Sequence, residues 1–235
     1  MNRVTLTVPK TAILLFARSS QAEMQHKWMP KGEYLFEQFN EHSLKLIQHS
    51  GLPYFHISEK DQHGQNFGEK FTNAILKIFD SGFDRIISIG NDTPNLTKLE
   101  LRKAIESLQV GNQVLGPSRD GGIYLLGLLR SEFDKNRFLA FSWGRSSLYK
   151  ELKEYLEIKG ENPLILAAFV DIDDISDIPF LLRLTYFIPF SIFKLFQALL
   201  SRRKIASFEL VLGEITPFYT PNSNKGSPLF LPILA

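Results

Sequence analysis

Two short loops of this chain carry carboxylates directly after predicted strands. Asp92 follows the apolar strand Arg85–Ile89 in the run Gly-Asn-Asp-Thr-Pro, and Asp120 stands before Gly121 and Gly122 after a second apolar stretch. Open α/β sheets bind their ligands at the carboxyl ends of parallel strands. Together the two loops indicate a metal-assisted reaction on a phosphate-containing substrate.

Asp92 is the first candidate for a metal ligand. A carboxylate just past a strand end can hold Mg²⁺ or Mn²⁺, and the cation then neutralises a diphosphate. Asn91 could supply a second oxygen ligand. The alternative is that Asp92 only shapes the turn, since Asn, Asp and Pro are common turn formers. The second acidic loop at Asp120 favours the functional interpretation.

Asp120 is the candidate for chemistry on the substrate. Its carboxylate could bind sugar hydroxyls or act as a general base, or it could be an ordinary turn residue before a Gly-Gly hairpin. Gly121 and Gly122 would let a ligand approach the backbone closely. Trp143 could stack on a sugar ring, or it could simply pack in the core.

An acidic run, residues 171–174, follows another predicted strand. The three carboxylates of this run could supply a second metal ligand at that strand end, and Asp173 is the candidate for it. Alternatively, Asp173, Asp174 and Asp177 could favour the dipole of a following helix. Both interpretations use the same position, and both stay open.

Cationic and glycine residues suggest how a nucleotide could be held. Arg18 and Lys27 flank a loop after the first strand, where they could grip phosphates or lie on a solvated surface. Gly68 opens a helix whose N-terminus could face an anion or a base. The alternative for Gly68 is close packing against a neighbour.

The elements that must position these residues alternate between strands and helices. The run at residues 10–17 is continuously apolar, which is typical of a strand buried on both faces. Such alternation predicts an α/β fold with a mostly parallel central sheet and helices on both faces. Strands are predicted over residues 10–17, 52–57, 85–89, 114–115, 123–128 and 164–170, and helices over residues 33–50, 67–79, from the capping box Thr97–Glu100 onward, and 146–158.

The last quarter of the chain changes character, so we predict a domain over residues 1–178 and an appendage over residues 179–235. Residues 179–200 have polar side chains on one stripe at helical spacing, which predicts an amphipathic helix kinked at Pro189. Residues 207–215 could form a late strand, and residues 216–235 an irregular tail. The apolar face is expected to pack on the domain or in a homodimer. Contact with a membrane surface is the less favoured alternative.

Composition excludes several classes of function. The formal charge of +2 is too small to indicate nucleic-acid binding. The sequence has no cysteine, which excludes disulfides, thiolate catalysis and cysteine-ligated zinc. The first residues lack a secretory pattern, and we expect a cytoplasmic protein.

The motifs resemble those of a bacterial family of glycosyltransferase-A-fold proteins, the uncharacterised transferases labelled transferase 1 and associated with radical-SAM and selenium-domain neighbours. That family is similar to nucleotide-diphospho-sugar transferases and to small nucleotidyltransferases. The resemblance covers about residues 10–178. It rests on Phe16-Ala17-Arg18, Phe67-Gly68-Glu69-Lys70, Gly90-Asn91-Asp92-Thr93-Pro94, the run from Gly116 to Leu125, Trp143-Gly144 and Asp171-Ile172-Asp173.

The resemblance implies a Rossmann-like glycosyltransferase-A fold and a divalent cation, Mg²⁺ or Mn²⁺, at Asp92. It implies a substrate loop at Asp120, Gly121 and Gly122. Lys27 matches the lysine of a Lys-Thr-Arg-Leu segment, but Trp28 and Met29 stand in place of Thr-Arg, and the glycine that usually precedes that lysine is missing. The residues expected on the nucleotide side are Ala17, Arg18, Lys27, Gly68 and Asn91.

The leading functional hypothesis is transfer of a sugar from a nucleoside diphosphate sugar to an acceptor that the sequence does not identify. A cation at Asp92 would stabilise the departing diphosphate. The second hypothesis is nucleotidyl transfer to a phosphorylated small molecule. That chemistry uses a glycine-rich loop around the triphosphate, and residues 18–29 contain no glycine. A third is a non-catalytic, nucleotide-binding member of the fold.

Overall fold

The computed structural model describes residues 9–27, 29, 32–158, 162–183 and 188–213, with side chains placed up to residue 201. The chain divides into two compact units, Met1–Gln197 and Ala198–Ala235. The first unit contains the sheet and every candidate site residue. The boundary that we predict between residues 178 and 179 stays a prediction.

The described strands form one mixed sheet in the order β2-β1-β3-β5-β4-β6. Only β5 runs against its neighbours, since β1 pairs in parallel with β2 and β3, and β4 pairs in parallel with β6. The predicted mostly parallel sheet is therefore confirmed. The strands are β1 (Thr11–Phe16), β2 (Tyr54–Ile57), β3 (Arg85–Ile89), β4 (Val114–Pro117), β5 (Ile123–Leu129) and β6 (Leu164–Ile165).

Helices cover both faces of this sheet, as predicted. The described helices are α1 (Ser20–Met24), α2 (Gly32–Ser50), α3 (Phe67–Asp80), α4 (Lys98–Gln109), α5 (Lys135–Ala140), α6 (Leu148–Ile158), α7 (Ile178–Leu181) and α8 (Phe190–Gly213). The apolar side chains of α3, α5 and α6 share one core cluster, and those of α2 and α4 share the other.

The central strand β1 explains why two cores form. Successive side chains of a strand point to opposite faces, so Ala12 and Leu14 enter one cluster while Ile13 and Leu15 enter the other. All four are fully buried. A strand covered on both faces must be apolar at every position, which is why the run at residues 10–17 lacks alternation.

The sheet brings four loops to one edge. β1, β3, β4 and β6 share one direction, so their carboxyl ends lie on the same side of the sheet. The antiparallel strand β5 begins at that edge and lies between β3 and β4. The loops that carry the candidate site residues therefore meet, although they are far apart in sequence.

The strand predicted over residues 164–170 is mostly wrong. Only Leu164–Ile165 is a strand, and its two residues are 36% and 37% exposed. It lies at the edge of the sheet and pairs with β4 alone. Beyond it, the chain follows β4 through isolated contacts, such as the 2.8 Å bond from the Leu166 amide to the Leu115 carbonyl and the bridge between Ser118 and Phe169.

The predicted kink at Pro189 is also wrong. Pro189 precedes α8, and its carbonyl accepts from the Phe193 amide at 2.9 Å, so the proline stands before the first turn and not inside a helix. That position is compatible with proline because the first amides of a helix have no intrahelical partner.

The late strand predicted over residues 207–215 is wrong as well, because α8 continues to Gly213. Extending an existing helix needs no new nucleation. The predicted tail, residues 216–235, lies outside the described residues. Among the described residues, no helix combines the length and apolar character that crossing a membrane requires.

The first turns of α8 expose some side chains and bury others. Ser191, Lys194 and Gln197 are exposed, while Ile192 and Phe196 are buried. The Phe196 ring meets the Phe39 ring of α2 edge to face, with 6.1 Å between the centroids. The apolar face of these turns is thus used within the first unit.

Replacing Phe196 by Ala should destabilise the protein by about 3–5 kcal/mol, because the change leaves a cavity beside α2. Chemical denaturation followed by circular dichroism would measure the loss. The matched control is Ser191→Ala, an exposed change on the same helix that should stay within about 0.5 kcal/mol of wild type. An equal, small effect of both changes would show that these turns are not part of the core.

Candidate functional site

A cleft of about 410 Å³ opens at the edge where the carboxyl ends of β1 and β3 meet the start of β5. This volume is typical of small-molecule sites. The structure brings most of the predicted site residues together around it. Those that line the cleft are Ala17, Arg18, Lys27, Asn91, Asp92, Asp120, Gly122, Trp143 and Asp173.

Gly68 and Gly121 are not among the lining residues, and packing accounts for each of them. A Cβ atom on Gly68 would lie 2.5 Å from Cδ1 of Trp143, so this glycine lets the indole approach α3. Gly121 has a φ of +92°, and a Cβ there would lie 2.1 Å from the Ser146 carbonyl oxygen. For Gly68, the packing alternative considered above describes its position better than contact with a nucleotide.

Lys27 lies at the centre of the site. Its Nζ atom donates to Asp92 Oδ2 at 2.8 Å and to the Ile172 carbonyl at 3.3 Å, and it lies 2.7 Å from Asp173 Oδ1. The two predicted metal-ligand carboxylates are therefore bridged by an ammonium group. The three segments that follow β1, β3 and β6 are joined at this one atom.

The surroundings of Lys27 keep it charged. Burial lowers the pKa of Lys27, but the charge of Asp92 and the hydrogen bonds to Asp173 and Asp92 outweigh that effect and raise the pKa above the usual lysine range. The positive charge at this point is thus fixed across ordinary pH.

The segment between β1 and Lys27 contains the short helix α1, and Lys27 lies in the turn that follows it. The Ser19 side chain caps α1 by accepting from the Ala22 amide, and both its hydroxyl and its amide donate to Glu59 at 2.8 Å. One turn later, Glu23 is buried and lies next to Arg18, with 3.9 Å between the charged atoms. Burial raises the pKa of Glu23, and the attraction of Lys27 offsets this only in part.

The acidic run after β6 forms both a helix cap and an ion pair. Asp174 and Asp177 form a capping box at the start of the 3₁₀ helix Ile175–Asp177. Asp173 instead directs its side chain to Lys27. The helix-terminus interpretation therefore describes Asp174 and Asp177, whereas the metal-ligand interpretation of Asp173 stays a prediction. The Ile172 amide donates to the Asp92 carbonyl at 2.9 Å, which ties this run to the loop after β3.

Asp171 is a site residue that we did not single out from the sequence. It lines the cleft and accepts a short hydrogen bond from the Thr93 hydroxyl. Burial, followed by the charge of Asp92, raises the pKa of Asp171 to about 7, although the hydrogen bond from Thr93 opposes the shift. Its place in an acidic run gave no sign of its burial.

Asn91 is a positioning residue in this structure. Its Nδ2 atom donates to Asn40 Oδ1 at 2.8 Å, and Asn40 in turn donates to the Arg18 carbonyl at 3.2 Å. This chain of amides holds the loop after β3 against the loop after β1. The nitrogen of Asn91 is committed to that contact, while its residue still lines the cleft.

Asp120 lies in the hairpin between β4 and β5. Its side chain accepts from the Gly122 amide at 2.9 Å, which is the turn role considered from the sequence. The residue is nevertheless exposed and lines the cleft. Its carboxylate is therefore both fixed by the turn and accessible to a ligand.

An aromatic wall closes the other side of the cleft. Trp143 donates from Nε1 to the Phe138 carbonyl at 2.6 Å and packs on Phe71 with 4.9 Å between ring centroids. Phe67 stacks on Phe71 and is 48% exposed. The indole of Trp143 is therefore held by packing, as one alternative predicted, while the wall presents ring surface to the cleft.

Several lining residues were missed from the sequence, namely Glu23, Asp171, Ser118, Phe67 and Tyr124. For Glu23 a signal did exist. Ser19 is a good helix N-cap, and Glu23 and Lys27 have the spacing of neighbours on one helix face. For Asp171 and Ser118, whose environment depends on distant strands, we find no local signal.

The donor set at Lys27 can be tested for its fit to a divalent cation. Two carboxylates and one carbonyl surround a single point, and Mg²⁺ binds such oxygen atoms. No group of three acidic or histidine side chains suited to a metal occurs among the described residues. Mg²⁺ commonly uses one or two carboxylates and completes its shell with water and substrate phosphates. The residues fit a cation shared with a phosphate ligand, provided that Lys27 leaves this point.

Replacing Asp171 by Asn should change the pH dependence of stability. The pKa of Asp171 rises from 3.8 to about 7 on folding, so its contribution is present below about pH 4 and is lost as the pH rises through about 7. The Asn variant cannot ionise and keeps an oxygen for Thr93. It should therefore exceed wild type in stability near pH 8 by roughly 1–4 kcal/mol, and the gain should shrink toward pH 4. Urea titrations at several pH values would measure this, and parallel profiles would contradict it.

The chain is similar to one described protein family and to several solved structures. Residues 55–145 match the model of a family described as an uncharacterized protein conserved in bacteria (DUF2064). No curated protein matches the chain. A crystal structure from Desulfovibrio desulfuricans G20, which carries the provisional name nucleotide-diphospho-sugar transferase, is 23% identical, covers 86% of this chain and 98% of its own, and has a TM-score of 0.70.

More distant similarity extends to two further crystal structures. Rv0371c from Mycobacterium tuberculosis H37Rv, in complex with manganese, is 11% identical over 74% of this chain and 98% of its own, with a TM-score of 0.42. The 4-diphosphocytidyl-2C-methyl-D-erythritolsynthase from Anaerococcus prevotii DSM 20548 is 12% identical over 73% and 94%, with a TM-score of 0.44.

The similarity to the Desulfovibrio protein shows a shared fold. That fold is the Rossmann-like α/β architecture that the sequence predicts, with a mostly parallel sheet between two layers of helices. The family match falls on the segment that contains the two central motifs, at Asp92 and Asp120. The predicted family resemblance is thereby confirmed over residues 55–145, where the chain is similar to the DUF2064 proteins, and the chain shares the fold of the Desulfovibrio protein.

Proposed function

We propose that this chain transfers a sugar from a nucleoside diphosphate sugar, with a divalent cation shared between the diphosphate and the carboxylates of Asp92 and Asp173. The observation that carries the proposal is the convergence of these two carboxylates and Lys27 on one point in a cleft of about 410 Å³. Such a point lies where α/β sheets of this kind bind ligands.

The charge of the cleft supports the need for a metal. Three cationic side chains line it, at Arg18, Lys27 and Arg145, against five carboxyl groups, at Glu23, Asp92, Asp120, Asp171 and Asp173. A diphosphate would add further negative charge to this acidic surface. A divalent cation, when bound, would supply the positive charge that stabilises the departing diphosphate.

Arg18 and Lys27 are the residues of the chain that we assign to the phosphates. Both line the cleft, and both belong to the segment that follows β1. Charge-assisted hydrogen bonds from such groups are stronger than neutral ones. The Asn91–Asn40 bond, which reaches the Arg18 carbonyl, keeps this segment against the loop after β3.

Asp120 is the residue that we assign to the reacting sugar or its acceptor. The hairpin fixes its carboxylate through the Gly122 amide, and the residue is exposed at the cleft. A fixed and accessible carboxylate can bind sugar hydroxyls or accept a proton from an attacking group. The aromatic wall at Trp143 and Phe67 offers ring surface for the apolar face of a sugar.

Nucleotidyl transfer is less well supported by the first loop. A triphosphate is normally wrapped by backbone amides of a glycine-rich loop. Here the corresponding segment is folded as α1, and it presents the buried carboxyl group of Glu23 to the cleft. The Ser19, Ala22 and Glu23 amides of this segment already donate within the protein and do not wrap a triphosphate, so sugar transfer is the function that we favour.

The proposed function predicts metal-dependent binding of a nucleotide ligand. Nucleoside diphosphates and their sugars, tested with and without Mn²⁺ by thermal shift, should include a ligand that stabilises the protein only with the metal. At a hundred times its dissociation constant it should add about 2.7 kcal/mol. Asp92→Asn should abolish the metal-dependent part, whereas Asp80→Asn, at a surface ion pair on α3, should retain it.

The outcomes of that panel separate the hypotheses. A shift with triphosphates alone would favour nucleotidyl transfer. No shift with any nucleotide would favour a non-catalytic member of the fold. An unchanged metal-dependent shift in Asp92→Asn would remove the metal assignment while leaving nucleotide binding intact.

The proposed function also predicts that Asp120 is needed for turnover but not for donor binding. Asp120→Asn keeps an oxygen for the Gly122 amide but loses the charge, so donor binding should persist while turnover falls by about 10²–10⁴-fold. Slow hydrolysis of the bound donor sugar gives an assay that needs no acceptor. Asp134→Asn is the matched control, because the Asp134 carboxylate also accepts from backbone amides but caps α5. Equal rates in all three proteins would exclude Asp120 from the chemistry.

Contact of residues 179–235 with a second copy of the chain, or with a membrane surface, stays a prediction. The first turns of α8 already bury Ile192 and Phe196 within the first unit. Those turns leave Ser191, Lys194 and Gln197 exposed, together with Phe190, whose exposed fraction is 69%. Phe190 is therefore an apolar side chain that such a contact could use.

A further inference from the structure

The ammonium group of Lys27 occupies a point suited to a metal ion. Its three oxygen neighbours, from Asp92, Asp173 and the Ile172 carbonyl, lie 2.7–3.3 Å from Nζ. Mg²⁺ binds such oxygens at about 2.0–2.1 Å. These groups would need to close by only about one ångström to surround a metal ion in place of the ammonium group.

Lys27 and a divalent cation exclude each other at this point. Two positive groups that share the same oxygens would repel strongly at contact distance. The Lys27 ammonium group lies 2.7–3.3 Å from all three oxygens, so it fills the point that the metal ion would take. A metal can therefore enter only if the lysine side chain moves away and finds another negative partner.

The cleft provides an opening for such an exchange. The side chain of Asp173 is 61% exposed and that of Asp92 is 31% exposed, so both carboxylates are accessible from the cleft. Glu23, one helical turn before Lys27, is only 7% exposed, and its Oε2 atom lies 3.9 Å from Arg18 but has no hydrogen-bond partner among the described residues. A buried carboxyl oxygen at the cleft wall that accepts no hydrogen bond can accept one from a displaced cation such as the Lys27 ammonium group.

We propose that Lys27 is an internal counter-cation, which pairs with the Asp92 and Asp173 carboxylates while no metal is bound. When a divalent cation and a diphosphate bind together, the cation replaces the ammonium group at the carboxylates and the diphosphate pairs with Lys27. This inference rests on the proposed function for the identity of the incoming ligand. It adds that metal and diphosphate bind cooperatively, and that the metal alone binds weakly.

The physical reason for the coupling is a balance of charge. A metal that binds alone must leave Lys27 without its two carboxylates. A diphosphate that binds alone meets the acidic groups of the cleft. When both bind, the diphosphate pairs with Lys27 and the metal pairs with the carboxylates, so each ligand removes the cost of the other. Lys27 thereby selects the metal–diphosphate complex over either component.

The test is Mn²⁺ binding to the purified full chain without any nucleotide, measured by the loss of the free Mn²⁺ signal in electron paramagnetic resonance. Lys27→Met should bind one Mn²⁺ about tenfold or more tightly than wild type. Lys27→Arg, which keeps the charge, should gain nothing. The matched control is Lys45→Met, since Lys45 pairs with Glu41 on the exposed surface of α2.

A second variant guards against loss of folding. Lys27→Gln keeps one hydrogen-bond donor for the carboxylates and should show the same gain if Lys27→Met does not fold. Adding Asp92→Asn to either variant should remove the new Mn²⁺ site. Equal Mn²⁺ affinity in wild type and the folded Lys27 variants, including no binding by any of them, would overturn the inference.

The two proposals fail in different ways. If the Lys27 variants gain the Mn²⁺ site but no nucleotide or nucleotide sugar stabilises wild type, the counter-cation role stands and the proposed function falls. If wild type binds a nucleoside diphosphate sugar with Mn²⁺ while the Lys27 variants gain no affinity for Mn²⁺ alone, the proposed function stands and the counter-cation role falls.

Discussion

The site depends on one ammonium group shared between two carboxylates. Lys27 joins the segments that follow β1, β3 and β6 through contacts of 2.7–3.3 Å with Asp92, Asp173 and the Ile172 carbonyl. Removing charges from water is costly, and the cost is offset only when geometry and hydrogen bonds are good. The capping box at Asp174 and Asp177 and the Asn91–Asn40 bond hold the backbone in the arrangement that permits those contacts.

The sheet supplies the frame for that arrangement. Parallel strands place their carboxyl ends on one edge, and β5, running the other way between β3 and β4, starts at the same edge. The hairpin that carries Asp120 is thereby set between the loops that follow β3 and β6. A purely parallel order would need a long connection before the next strand, whereas the antiparallel hairpin puts its acidic turn directly at the cleft.

Features that depend on local pattern could be predicted from the sequence. The apolar run at residues 10–17 indicates a doubly covered strand, and Arg85–Ile89 is found with the predicted bounds. The position of Asp92 and Asp120 at strand ends likewise placed both at a ligand-binding edge. Lys27 could be named as a phosphate ligand, but its contact with Asp92 joins residues 65 positions apart, and no spacing rule reveals such a pair.

Features that depend on distant neighbours could not be predicted. Residues 164–170 are apolar enough for a buried strand, yet they lie at an edge where only β4 is available to pair. Asp171 gains its burial from Thr93 and the surrounding cleft, so its place in an acidic run gives no warning. Pro189 was expected to kink a helix because the sequence does not show where the helix begins.

A purely structural role for the Lys27 bridge fits its surroundings poorly. Ion pairs contribute little to stability when they are exposed, and a buried pair is weak evidence of stabilisation because of its desolvation cost. This bridge joins a half-buried ammonium group to one carboxylate that is 31% exposed and another that is 61% exposed, and it lies at the wall of a cleft. Well-packed apolar side chains would hold the three loops at less cost, and the charges at this point therefore support the exchange of ligands that we propose.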